Sequence, residues 1–254
     1  MASRISHNPN DSLGDRAYLV IREQILRGEL SIGSPVSRRQ LAESLKMSIL
    51  PVGEALQRLE REGFVETRRR AGTRVRVFTA DEIRDQYTLR EALETQAARL
   101  VAERASLQQL HELGRMADQV DILFKRSVQS HGDSEFLFNV HNQHFQFHMR
   151  VAEYAMSKAL RDEIETKQVL MFNWFYMVAT PDRVLPPHFH TDLTDALSTR
   201  NAEKADRAMR RHVRYGLEEL VASLRPLPNH KWRSIGQPSD SSRVRLGNRL
   251  QRSK

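Results

Sequence analysis

The stretch Ser48–Gly63, SILPVGEALQRLEREG, admits few conformations other than one amphipathic helix. Val52, Ala55, Leu56 and Leu59 recur at helical spacing, Ser48 stands at the N-cap, and Gly63 stands where a left-handed residue ends a helix. Upstream, Ser37 can cap a shorter helix whose buried stripe is Leu41, Ala42 and Leu45, and only Lys46 and Met47 separate the two. Downstream, Phe64–Thr67 and Arg74–Phe78 alternate apolar and polar residues on either side of the turn RRRAG, which predicts two strands. Two short helices joined by a tight turn and followed by a hairpin form the pattern of a winged helix-turn-helix. Ser48–Gly63 is then expected to be a recognition helix, with Arg68, Arg69 and Arg70 at the hairpin tip facing phosphate or a minor groove.

The charge distribution fits that expectation. Residues 1–78 carry 14 Lys and Arg against 9 Asp and Glu, residues 79–224 carry 18 against 22, and residues 225–254 carry 8 against 1. A basic front, a mildly acidic middle and a basic tail suggest a polyanion-binding module joined to a part with different work, although the front charge also suits an ordinary solvated surface. Cysteine is absent, which removes disulfides and thiolate metal sites. With no signal-peptide pattern and no apolar run near the ~20 residues a membrane span needs, a cytoplasmic protein without membrane contact is expected.

In chain order, residues 1–10 read as a mobile arm, and residues 11–78 as the DNA-binding unit, opening with a helix over Ser12–Arg27 that buries Leu13, Ala17, Val20, Ile21 and Ile25. Thr79 and Glu82 fit a capping box. From there to residue 224 six helices are expected: Asp81–Ala105, Leu107–Phe124, Glu135–Ala155, Lys158–Ala179, His188–Thr199 and Ala202–Leu224. The first is expected to bury Ile83, Tyr87, Leu89, Ala92, Leu93, Ala97 and Leu100, and the set to form an antiparallel bundle. Residues 225–254, with their prolines, serines and basic side chains, read as a disordered tail that adds salt-sensitive DNA attraction or only solubility. The fold class is therefore mostly α, a winged helix-turn-helix followed by a helical bundle.

Four histidines of the bundle fall into a pattern. His144 and His148 are four apart on one helix face, and His190 and His212 are placed to meet at one level if the last two helices run antiparallel. Four neutral imidazoles suit zinc or nickel better than calcium or magnesium, whereas a His pair at this spacing is in other proteins a surface or core pair. His141 shares their face and is either a supporting or a bland residue.

The run IREQILRGELSIGSPVSRRQLAESLKMSILPVGEALQRLEREGFVETRRRAGTRV resembles the N-terminal domain of the GntR family of bacterial transcription regulators. The resemblance implies DNA contacts at Arg38, Arg39, Ser48, Ile49, Leu50, Arg68, Arg69, Arg70, Gly72 and Thr73. It also exposes a departure: family members carry arginine directly after the capping residue and between Val and Glu of the recognition helix, and these positions are Ile49 and Gly53 here. A guanidinium fork on guanine cannot come from either residue. Gly53 marks either a close approach of the helix to DNA or tolerated drift, at about 1 kcal/mol relative to alanine.

The segments LREALETQAARLVAERAS, HFQFHMRVAEYA and HTDLTDALSTRNAEKADRAMRRH look like the ligand-binding domain of the FadR subfamily, the FCD type. Many members hold a metal with an Asp-x3-His pair and two later histidines; the matching positions are His144, His148, His190 and His212, with histidine replacing the aspartate. The resemblance also implies a homodimer on a double-stranded, partly palindromic DNA operator, and a small carboxylate effector that completes the metal's coordination. Arg90 matches an arginine facing the effector cavity, its alternative being a surface ion pair with Glu94. The expected function is transcription regulation, and repression in particular. A metalloenzyme built on a helical bundle and a DNA-architectural protein without effector are the competing classes. HFQFH has Phe145 where a zinc protease would carry its glutamate base, and an architectural protein would not need so long a bundle.

Overall fold

The computed structural model describes residues 11–129, 133–167, 185–217 and 220–221. The expected arm (1–10), the tail (225–254) and residues 168–179 of the fourth bundle helix lie outside the described residues.

Helix α1 (Leu13–Leu26) is capped by the Ser12 hydroxyl, which accepts the Asp15 N–H. It buries Ala17, Tyr18, Ile21 and Ile25, whereas Leu13 is exposed. Tyr18 joins the core because its polar end has partners on the next long helix. Its hydroxyl donates to Glu62 at 2.6 Å and its ring lies 3.7 Å under the Arg58 guanidinium. Burial and Glu62 push the Tyr18 phenol up to about 12.

Helix α2 (Arg38–Ser44) is capped by Ser37, and α3 (Ile49–Arg61) follows after a short turn. The turn is a Schellman closure: Met47 N–H donates to Ala42 C=O at 2.9 Å, Lys46 N–H to Glu43 C=O at 3.2 Å, and Lys46 takes φ 54°. The same closure ends α3, with Phe64 N–H on Leu59 C=O, Gly63 N–H on Glu60 C=O, and Gly63 at φ 81°. Val52, Ala55, Leu56 and Leu59 of α3 are buried, and α3 packs along α1. Ser48 holds the N-cap position without making a side-chain cap hydrogen bond.

The wing differs in detail from the expected strands. β2 is Val65–Arg68 and β3 is Gly72–Val75, paired antiparallel with Arg68 opposite Gly72. Arg68 therefore ends a strand, and Arg69 and Arg70 occupy the turn. A third strand, β1 (Pro35–Val36), pairs with β3 and gives the sheet order β1-β3-β2. It was masked in the sequence by its length and by Pro35, which an edge strand tolerates.

Only residues 76–79 separate β3 from α4 (Ala80–Arg104), whose N-terminus carries the expected Thr79–Glu82 capping box. Arg76 ties the junction by pairing with Glu82 at 2.8 Å, and Phe78 is buried. The bundle continues with α5 (Leu107–Ser127), α6 (Ser134–Tyr154), the helical residues 158–167 (α7), α8 (Thr191–Ser198) and α9 (Ala202–Arg214). The expected helix to Leu224 is broken after Arg214, where Tyr215 is extended and Gly216 adopts φ 87°, and residues 217, 220 and 221 are helical again. α8 begins at Thr191, so His190 is its N-cap residue. The α4 stripe also differs: Leu89 is exposed, and the buried face runs through Ile83, Tyr87, Arg90, Glu94, Ala97 and Val101. The apolar core is continuous from α1 and α3 into α4 and the bundle.

No described helix is long and apolar enough to cross a membrane. Lys46 holds a left-handed conformation that costs a residue with a Cβ roughly 1 kcal/mol. Lys46→Gly is expected to raise stability by about that amount in urea unfolding, and an unchanged or lower midpoint would contradict the turn geometry.

Candidate functional site

Two surfaces carry chemistry. The first is inside the bundle. α6 presents His144 and His148 one turn apart, the N-cap of α8 presents His190, and α9 presents His212. His148 Nε2 lies 2.9 Å from His144 Nε2 and 3.1 Å from His212 Nε2. One ring nitrogen each of His144, His190 and His212 lies within 4.8 Å of the others, close enough to share an ion. Two helices and a helix start thus bring the four expected histidines together. His148, His190 and His212 are buried and His144 is partly exposed.

Two carboxylates aim these rings. Glu94 on α4 accepts from His148 Nδ1 at 2.5 Å, and Asp121 on α5 accepts from His190 Nδ1 at 2.6 Å. A proton held on Nδ1 leaves Nε2 as the lone-pair atom, so both rings turn an acceptor inward. His190 Nε2 is buried with no hydrogen-bond partner. Inward lone pairs without enough protons between them form a donor set fitted to a cation, and an all-imidazole set fits zinc or nickel.

The carboxylates are themselves held. Arg90 Nε donates to Glu94 at 2.5 Å, and both side chains are buried. Burial would raise the Glu94 carboxyl, but Arg90 and the bond with His148 hold it down at about 2. Asp121 accepts from His190 N–H, Thr191 N–H and the Thr191 hydroxyl, which welds it to the start of α8. The His190 ring first, then the backbone N–H groups of His190 and Thr191, outweigh burial and lower its pKa. Burial first, then the neighbouring imidazoles, pushes His144 and His212 well below the ordinary imidazole value. Burial also lowers His190, against the opposing Asp121.

Sequence spacing missed Glu94 and Asp121 because each reaches its histidine across 54 and 69 residues. A partial signal existed, since Glu94 lies one turn after Arg90. That pair is no surface bridge; it sits inside the bundle against His148. His141 lies edge-on to Phe124, with ring centroids 5.8 Å apart. Phe124 and Phe189 stack on His190 and His212 and close the rings' other faces.

The second surface is the outer face of α2, α3 and the wing. Arg38, Arg39, Ser48, Ile49, Leu50, Arg68, Arg69, Arg70 and Gly72 are exposed there, and Thr73 is half-buried. Leu50 is 72% exposed and Ile49 55%, a large apolar exposure for the first turn of a helix. Gly53 is buried, with the Arg38 guanidinium beside it.

Comparison with known proteins connects both surfaces to one activity. The family described as "Bacterial regulatory proteins, gntR family" matches residues 13–75, and the family described as "FCD domain" matches residues 85–215. The HTH-type transcriptional repressor RspR of Escherichia coli K12 is 25% identical over 231 residues, spanning 89% of this chain and 95% of that protein. The Nta operon transcriptional regulator of Aminobacter aminovorans is 25% identical over 195 residues, 76% of this chain and 87% of that protein. Among solved structures, E. coli McbR/YncC has a TM-score of 0.66 at 22% identity, covering 84% of this chain and 98% of that one. A GntR transcriptional regulator from Rhodococcus sp. RHA1 has a TM-score of 0.67 at 21% identity, covering 84% and 99%. These structures share the fold, and the curated relatives are regulators rather than enzymes.

The lowered imidazole pKa values fix a pH dependence. The folded state holds His144 and His212 neutral below the 6.5 of the free side chain. Their contribution to stability is therefore complete above about pH 6.5 and is lost as pH falls below it. In the presence of chelator, the melting temperature is expected to fall progressively as pH drops below about 6.5, and His212→Asn to flatten that fall. An equal slope in the variant would contradict the burial of neutral rings.

Proposed function

This chain belongs to the GntR family of bacterial regulatory proteins, and we propose that it is a repressor whose operator binding is controlled by a small carboxylate metabolite bound beside a histidine-ligated metal. The observation that carries the proposal is the convergence of His144, His148, His190 and His212, with two rings aimed by carboxylates and the buried His190 Nε2 left for a ligand. The four imidazoles would hold zinc or nickel, and the ion would supply a Lewis-acidic centre for a carboxylate. Arg90 is assigned to the effector: it is buried beside the cluster, joined to His148 through Glu94, and a guanidinium there would pair with a carboxylate.

In this reading residues 11–78 bind DNA, residues 79–224 bind effector and dimerise, and the regulator works in the cytoplasm as a homodimer on a palindromic double-stranded operator. Arg39, Ser48 and the wing arginines anchor phosphate, and Gly72 and Thr73 let the wing approach it. Ile49 and Leu50 supply apolar contact for thymine methyl groups, the one base feature that aliphatic side chains read well.

The signal has a short path. Arg27, at the end of α1, donates to Glu135 of α6 at 3.0 Å and lies 4.4 Å over the Phe138 ring. α6 also carries His144 and His148, and α1 packs on α3. A shift of α6 on ligand binding would therefore reach the recognition helix through one ion pair and one ring contact.

Three outcomes are expected. Elemental analysis of protein purified without chelator should find one zinc or nickel per chain, and His148→Ala should remove both the metal and the thermal stabilisation that added metal gives. No stoichiometric metal, with no stability loss in His148→Ala, would reject the site. Metal addition should change affinity for operator DNA by about 5- to 150-fold in the wild type. Arg27→Ala should keep the metal and lose that change; a full response in Arg27→Ala would reject the path. Sedimentation should give a dimer at micromolar concentration.

A further inference from the structure

We propose that Arg38, on α2, reads a guanine in the place of the recognition helix's own residues, and that Gly53 is the notch that seats it. This rests on the operator binding proposed above and adds which side chain discriminates.

The first two turns of α3 present Ile49, Leu50, Glu54 and Gln57 to the outside. None is a cation. The arginines of α3 lie in its last turn, and Arg58 is engaged with Asp15, Glu62 and the Tyr18 ring. A groove-facing helix start with exposed aliphatics and no basic side chain has no donor fork of its own. The guanidinium lying against this surface comes from the neighbouring helix.

The contact is specific. A Cβ built on Gly53 would lie 3.7 Å from Arg38 Nη1 and 3.8 Å from its Cδ and Cζ. Gly53 is buried although it faces the same side as exposed Leu50 and Glu54, with the Arg38 stem and guanidinium against it. Arg38 makes no ion pair among the described residues. It is the first residue of α2, directly after the Ser37 cap, so its backbone is fixed by a helix start while its side chain crosses to α3. A fork resting against a helix loses less freedom on binding than a free arginine, and its two parallel donors match guanine O6 and N7.

The notch sets the size limit. At 3.7–3.8 Å a methyl group makes ordinary contact with Arg38, so alanine fits. A leucine at the same position needs the volume the guanidinium occupies. Gly53 in mid-helix sacrifices helix propensity, and the seated arginine is what an exchange for alanine would keep and an exchange for leucine would lose.

The test uses full-length protein and a duplex that the wild type enriches from a random-sequence library. Affinity is measured for that duplex, for a scrambled one, and for single base-pair replacements. Arg38→Ala and Arg38→Lys are expected to bind the enriched duplex at least about tenfold more weakly and to lose the preference for one G·C pair in each half-site. Binding to the scrambled duplex should fall far less. Gly53→Ala should keep the preference and melt at a higher temperature, while Gly53→Leu should melt normally and lose the same preference as Arg38→Ala. If Arg38→Ala weakens enriched and scrambled duplexes equally, Arg38 is a phosphate anchor and the proposal fails. It fails also if every base preference survives Arg38→Ala. A wild type that enriches no sequence overturns the operator reading itself, and this inference with it.

Discussion

The buried chain Arg90–Glu94–His148 holds the bundle to its purpose. A carboxylate at full burial is costly unless charge and hydrogen bonds compensate it, and Glu94 meets both needs with Arg90 on one side and His148 on the other. The compensation fixes more than an ion pair. It turns the helical face that α4 buries, because two charged residues join Ile83, Tyr87, Ala97 and Val101 in the interior. It sets which nitrogen of His148 carries the proton, and so which nitrogen faces His144 and His212. Asp121 repeats the device for His190 while bonding the backbone at the start of α8. Position and chemistry of the imidazole cluster thus follow from two carboxylates that do not themselves enter it.

Replacement of the family's aspartate by His144 acquires a physical setting in this arrangement. The negative charge absent from the inner group is present one bond further out, as Glu94 and Asp121, each tied to a ring rather than facing the ligand position. Four imidazoles at close range would repel one another if protonated, and burial lowers the pKa of His144, His190 and His212. A neutral donor set with charge behind it would suit a borderline divalent ion and would leave that ion's positive charge for an anion.

The DNA-reading end depends on a different economy of residues. A Schellman turn with lysine at its left-handed position brings α2 close enough to α3 for Arg38 to cover Gly53. The pairing of α1 with α3 through Tyr18, Arg58 and Glu62 joins the expected recognition helix to the helix that meets the bundle. Arg27 then meets α6. Both functional surfaces belong to one continuous packed core, so a displacement at one has few places to be absorbed before it reaches the other.

Local chemistry was legible in the residues alone. Periodic apolar stripes, Ser and Thr caps, and glycine stops specify helices because they act within one or two turns, and α1, α3 and the α4 capping box follow from them. Histidine spacing named all four members of the cluster, since His144 and His148 share a helix face by geometry and the later two matched a family pattern. Helix ends set by a single φ, such as Gly216, and the two-residue strand at Pro35 escaped, because their hydrogen bonds are too few to leave a periodic trace. What tertiary structure alone decided is which charges lie inside. The Arg90–Glu94 spacing leaves a surface pair open beside a cavity-facing arginine, and only α6 with His148 puts the pair inside; Asp121 carries no signal across 69 residues to His190, and Gly53 reads as close approach to DNA or as drift until Arg38 lies beside it. Burial of a charged or absent side chain is settled by its partner's position in space, and no local pattern encodes that position.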